Sequence, residues 1–153
     1  RYGFVTELNE GYDKMRFYGK GPFENYCDRG DAAILGVYEG AVEEFEHGYL
    51  TPQECSNHTE MRWLEVCGED KPTLQIKYVG KPFEASVNEY SIEQLENTTH
   101  RHLLQKTGRL TVTFDGKQRG VGGDVPAFAC TKPRYKIYPV VKHSFSVQLS
   151  FKK

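Results

Sequence analysis

The sequence predicts an all-β protein, an antiparallel β-sandwich with one short helix near residues 91–97. Three observations lead there: strict period-2 alternation in several runs, turn chemistry between the runs, and a helical signature at only one place. The strongest runs are Leu74, Ile76 and Tyr78 (alternating with Gln75 and Lys77), Leu110, Val112 and Phe114 (with Thr111 and Thr113), and Phe145, Val147, Leu149 and Phe151 (with Ser146, Gln148 and Ser150). Successive side chains of a strand point to opposite faces, so each run places its apolar residues on one face, as a half-buried antiparallel sheet requires. Shorter strand candidates are 14–18, 33–38, 61–67, 83–87 and 135–138.

Breaks between these runs carry turn residues: Gly19-Lys20-Gly21-Pro22, Gly68-Glu69-Asp70-Lys71-Pro72, Gly80-Lys81-Pro82 and Asp115-Gly116. Asp115-Gly116 follows a strong strand and reads as a hairpin-type turn, although no return strand is evident. Ser91 opens the one helical segment. Gln94 stands three residues later as a capping-box partner, and Ile92 and Leu95 share a face. With 153 residues the chain is one domain in size, expected to span 1–153 as a single sandwich.

Lys+Arg total 20 and Asp+Glu 21, a net charge of −1. That balance argues against a nucleic-acid partner and against a disordered acidic tail. There is no run of 18 apolar residues, so no membrane-spanning helix is expected. The first residues, Arg1-Tyr2-Gly3, lack an initiator Met, and the chain is expected to be processed or cut from something longer. Cys27, Cys55, Cys67 and Cys130 form no CxxC pair and are expected to be independent thiols, mostly small core hydrophobes. The sequons at Asn57 and Asn97 read as chance.

No complete catalytic constellation is visible. Gly120-Val121-Gly122-Gly123-Asp124 is Gly-rich, but Pro126 argues against the following helix that a phosphate site needs. Its glycines point instead to a loop that passes close to another surface or adopts positive φ. His100 and His102, at i and i+2, read as a polar turn and not as a metal pair. Glu43, Glu44 and Glu46 form a contiguous acidic run, the pattern of a solvated face, whereas glycosidase carboxylates converge from separate elements. The ten Tyr and nine Phe suit either a sugar-binding surface or a sandwich core, and Trp63 is expected in the core.

Four stretches together resemble one family. Phe17-Tyr18-Gly19-Lys20-Gly21-Pro22-Phe23-Glu24-Asn25-Tyr26-Cys27-Asp28-Arg29 is similar to the Gly-x-Gly-Pro-x-Glu-Asn-Tyr-x-Asp-Arg signature in the C-terminal domain of family 2 β-galactosidases. Cys27 stands where that family often has Pro. Pro52-Gln53-Glu54, Asn57, Thr59 and Arg62-Trp63 resemble a second block, Thr99 to Leu104 a third, and Asp115-Gly116 with Gly120–Asp124 a fourth. The resemblance covers nearly the whole chain and implies a galactose mutarotase-like super-sandwich, of which this would be the later part. It also implies a separate TIM barrel in which two glutamates perform retaining hydrolysis. Neither catalytic motif is present here, so the expectation is a non-catalytic segment that lines the active site and supports assembly. For the stretch after Gly122 the resemblance implies substrate-lining roles for Gly123, Asp124, Ala127 and Phe128; Ala127 stands where the family carries a stacking Trp, with Phe128 beside it. Glu54, Asn57 and Arg62 are candidates for a vestigial sugar cleft or for a buried hydrogen-bond network, and Arg29 is expected to pair with Asp28 or Asp31.

The partners implied are the remainder of a β-galactosidase and, through it, a galactoside, with no nucleic acid and no membrane. Self-association of an isolated piece is expected through uncovered edges. No cofactor is expected in this stretch, Mg and Na being used by parent enzymes of the family. A bacterial source, cytoplasmic or periplasmic, is implied. The alternative reading is a stand-alone carbohydrate-binding or mutarotase-like module.

Overall fold

A computed structural model describes residues 1–122 and 130–153. Nine strands are formed among them: β1 (Tyr2–Leu8), β2 (Lys14–Gly21), β3 (Ile34–Ala41), β4 (His58–Met61), β5 (Trp63–Cys67), β6 (Thr73–Val79), β7 (Phe83–Asn88), β8 (Leu110–Lys117) and β9 (Ser146–Lys152). The helix is α1 (Ile92–Asn97). One sheet has the order β1-β8-β7-β4 and the other β3-β2-β5-β6-β9. All neighbouring pairs are antiparallel. This is the antiparallel β-sandwich that the alternation predicts. No helix among the described residues is long and apolar enough to cross a membrane.

The core lies between the inner faces of the sheets. Met15, Phe17, Leu64, Val66, Leu74 and Ile76 come from the five-stranded sheet, and Phe83, Ala85, Val87, Val112 and Phe114 from the other. Each large side chain buried this way contributes roughly 1.5–3 kcal/mol. Val42 and Phe45 close one end from a 3-10 turn after β3, the Phe45 ring standing edge-on to Phe17 at 5.4 Å. The capping box forms as read: Ser91 Oγ accepts from the Gln94 amide at 3.1 Å, and Gln94 Oε1 accepts from the Ser91 amide at 3.2 Å.

Several elements depart from the sequence reading. The expected strand 61–67 is two strands in different sheets. Met61 ends β4, and after a break at Arg62 the chain enters β5, with Arg62 donating its amide to the Tyr18 carbonyl at 2.8 Å. Trp63 is half-buried on the outer face, opposite Tyr18 and under the Arg16 guanidinium, while its neighbours Leu64 and Val66 take the core positions. Asp115-Gly116 is not a turn: β8 continues through it to Lys117, and the Tyr2 and Phe145 rings occupy the space of a side chain at 116. Residues 135–138 form no strand. Pro133, with its fixed φ, begins a 3-10 turn there that ends at Tyr135. β1 went unread because Gly3 and Thr6 interrupt its apolar pattern. All four cysteines are free thiols, but only Cys55 is buried.

Candidate functional site

At one end of the sandwich a set of polar side chains is buried where the β2–β3 connection, the strand-poor stretch before β4 and the exit of β8 meet. Asn25 fills all four of its hydrogen-bonding positions. Its Nδ2 donates to the carbonyls of Lys20 (3.0 Å) and Phe23 (2.9 Å), and its Oδ1 accepts from the Thr59 amide (3.0 Å) and hydroxyl (2.6 Å). Beside it, Asn57 is wholly buried, donating to the Asn25 carbonyl at 2.9 Å and accepting from Gln118 Nε2 at 2.9 Å. Glu24 accepts from Arg29 and Tyr49 at 2.5 Å each and from the Ser56 amide at 2.6 Å. A buried carboxylate needs such a set of donors to offset its lost hydration. Arg29 thus pairs with Glu24, not with Asp28 or Asp31, because Asp28 is engaged elsewhere.

Asp28 reaches across to the Gly-rich segment. Its two carboxylate oxygens accept from the amides of Val121 (3.0 Å) and Gly122 (2.8 Å). Gly122 adopts φ +78°, which glycine accepts without cost, and Gly120 runs against Asp28 and Tyr135 with no room for a side chain. Across the base of the loop, the Thr131 hydroxyl donates to the Gly120 carbonyl at 2.8 Å, and Arg119 donates to that hydroxyl at 3.1 Å. The residues flanking 123–129 are therefore held on both sides, and the close approach at Gly120 and the positive φ at Gly122 are what the glycines led one to expect. Gly123, Asp124, Ala127 and Phe128 lie outside the described residues.

Next to the network is an open cleft of about 400 Å³, lined in part by Lys20, Tyr26, Cys27, Glu84 and Lys117. Burial pushes the Glu84 carboxyl up to about 7, held back by hydrogen bonds from the Gln118 backbone and Asn57. Asp115, its register partner on β8, is also raised by burial, against the pull of the Arg1 guanidinium at 2.7 Å. The Cys27 thiol and the Tyr26 phenol are raised by the same cause. On the other side His58, its ring tilted by 37° against Phe17 at 4.6 Å, is driven down to about 4 by burial and is neutral near pH 7.

The other sequence candidates are engaged separately. Glu54 pairs with Arg1, Asn57 belongs to the network just described, and Arg62 lies over the Tyr18 ring at 5.4 Å. His100 bonds the Thr99 hydroxyl at 3.0 Å, and both it and His102 are exposed. Glu43 faces Lys106, Glu46 faces Arg101, and Glu44 accepts from the Ala41 amide. Among the described residues no three His, Cys, Asp or Glu side chains group as metal ligands. The chemistry these residues offer is hydrogen bonding and ion pairing. Glu84 and Gln118 escaped sequence reasoning; their placement beside Asn57 rests on contacts 27 and 61 residues apart.

Fold and site together define a β-sandwich with a buried polar network at one end, beside which Asp28 and Thr131 hold the residues flanking 123–129. The chain belongs to the β-galactosidase small chain family, whose model matches residues 1–149. It is 38% identical over 137 residues to a β-galactosidase of Priestia megaterium, covering 89% of this chain and 13% of that protein. To β-galactosidase BgaC of Bifidobacterium adolescentis it is 33% identical over 150 residues, 97% of this chain and 14% of the relative. A Lactococcus lactis β-galactosidase is 29% identical over 155 residues, again 14% of its own length. The chain thus spans only about one seventh of these relatives.

Proposed function

We propose that this chain is a non-catalytic component of a β-galactosidase of glycoside hydrolase family 2, and that its loop between 122 and 130 helps to line the site that takes the terminal β-galactoside. Family membership supports the enzyme; the single observation supporting the loop's role is the grip of Asp28 on Val121 and Gly122. Loops that act on ligands are held at their stems by rigid scaffold while their tips meet the ligand. Phe128 is the aromatic side chain best placed in sequence to stack on a sugar, standing beside the position of the family's Trp. Hydrolysis itself is assigned to the two carboxylates of the barrel outside this stretch.

The test is kinetic, on the assembled β-galactosidase that contains this chain. Phe128→Ala and Asp28→Ala are each expected to lower kcat/KM for lactose and a chromogenic galactoside by roughly tenfold or more, through lost positioning. Values within about twofold of the unmodified enzyme for both variants would remove the loop from the site. Hydrolysis by the pure 153-residue chain, at a rate tracking its concentration, would overturn the non-catalytic assignment.

A further inference from the structure

The five-stranded sheet carries aromatic side chains on the face turned away from the core. Phe17 and Leu64 point inward, so their neighbours Tyr18 and Trp63 point outward, and the two stand directly opposite each other on β2 and β5. Val37, Tyr18, Trp63, Lys77 and Gln148 form a row that crosses all five strands. In that row Val37 is 53% exposed, Lys77 and Gln148 are exposed, and the two aromatic residues are half-buried. Leu35, two residues before Val37 on the same face of β3, extends the apolar part. Aromatic and aliphatic side chains in one row on an open sheet face are the makings of a contact surface.

The polar groups around the rings say what kind of partner suits it. Arg16 lies over the Trp63 ring and Arg62 over the Tyr18 ring, each with its guanidinium carbon 5.4 Å from the ring centre. Each guanidinium is also paired with a carboxylate, Arg16 with Glu39 at 3.4 Å and Arg62 with Glu60 at 3.5 Å. The Glu39 and Glu60 side chains are 73% and 52% exposed, so both pairs are open to a ligand. Beside each ring there is thus a group that only donates next to a group that only accepts. An anion has to displace a carboxylate from its guanidinium before it binds here. A hydroxyl both donates and accepts, so it bridges Arg and Glu and leaves the pair intact.

We propose that the outer face of the five-stranded sheet binds a neutral oligosaccharide, with sugar rings over Tyr18 and Trp63 and hydroxyls bridging the Arg16–Glu39 and Arg62–Glu60 pairs. The C–H face of a sugar ring covers aromatic surface while its rim of hydroxyls meets the ion pairs. Residues opposed across neighbouring strands have Cβ atoms about 4.5–5.5 Å apart, close to the length of one sugar unit, so the ligand is a chain laid across the strands. The face shares no residue with the stretch after Gly122 and does not rest on the function proposed above.

Trp63 is the only tryptophan of the chain, so its fluorescence reports on this face alone. Titrating the full 153-residue chain with a β-linked galactotetraose should shift the emission to the blue and reach saturation. Galactose should bind at least roughly tenfold more weakly. Tyr18→Ala should weaken the tetrasaccharide by roughly tenfold, and Glu39→Gln, at an exposed position, by roughly threefold. Raising NaCl from about 0.05 to 0.5 M should leave the affinity within about twofold, since no net charge is being paired. In the assembled β-galactosidase that contains this chain, a native gel holding β-galactan should retard the unmodified protein more than either variant. An emission unmoved by about 10 mM tetrasaccharide, or equal affinity in both variants, overturns the proposal. So does tighter binding of oligo(dT) that falls steeply with salt, which would assign the face to a nucleic acid. The Phe128→Ala kinetics report on a different part of the chain, so either reading can fail without the other.

Discussion

The two flanks of the sandwich are finished to different degrees. At the network end, Asn25, Asn57 and Glu24 are buried and each meets donors and acceptors from its own chain. At the β1/β9 flank, side chains that belong to the inner face by register stand in solvent. An unpaired buried polar group costs about 1–3 kcal/mol, whereas an uncovered apolar side chain forgoes only its burial gain. The difference teaches that interactions within this chain hold Val121 and Gly122 in place, while the inner face at the β1/β9 flank is left in contact with water.

The largest effect expected is at Asn25. Asn25→Ala leaves the Phe23 carbonyl and the Thr59 amide without their partner, while the Lys20 carbonyl keeps His58 Nδ1 at 3.2 Å. Urea unfolding should show a loss of about 3–5 kcal/mol; a loss as small as that at a surface site would erase the contrast between the flanks.

Next comes pH. Glu84 titrates at about 7 in the folded chain, above its ordinary value of 4.5, so between these values the folded state holds the extra proton. Its contribution to stability therefore falls as pH rises from about 4.5 to 7, by about 3 kcal/mol in all. His58 acts with the opposite sign: its folded value of about 4 lies below 6.5, and stability is lost as pH falls through that window. Glu84→Gln should remove the first slope and leave the second, so its stability relative to the unmodified chain should grow from pH 4.5 to 7 and then level. A constant difference across that range would mean that Glu84 is not held protonated.

Asp28→Ala is expected to cost about 1–2 kcal/mol, since two amides lose a charged acceptor but lie near solvent. Amide exchange at Val121 and Gly122 should quicken while β2 stays protected. The smallest effect belongs to the open flank: Leu149→Ser in the isolated chain should shift stability by less than about 1 kcal/mol. Binding of a hydrophobic dye should fall at the same time, and a large loss of stability there would show that the flank is core after all.

Much of the fold was legible because alternation is a local signal. The runs at 74–78, 110–114 and 145–151 are strands, and the Ser91–Gln94 capping box forms as written. Asp115-Gly116 and 135–138 misled because turn and strand residues were read without their surroundings. The Tyr2 and Phe145 rings require a glycine inside β8, and Pro133 dictates a 3-10 turn. In the site, Asn57 was readable as a network residue, while Glu84 and Gln118 carry no local pattern at all.

By itself, then, the sequence determined the sandwich class, the helix with its cap, the glycines of the loop stem and the family, since each depends on neighbours in the chain or on order and spacing of residues. Only the tertiary structure decided that Arg29 turns to Glu24, that Asp28 holds Val121 and Gly122, and that Leu149 and Phe151 face inward yet meet water. The physical reason is range. A strand's alternation says which side chains share a face, but whether another layer covers that face, and which acceptor a donor finds, is settled by residues tens of positions away.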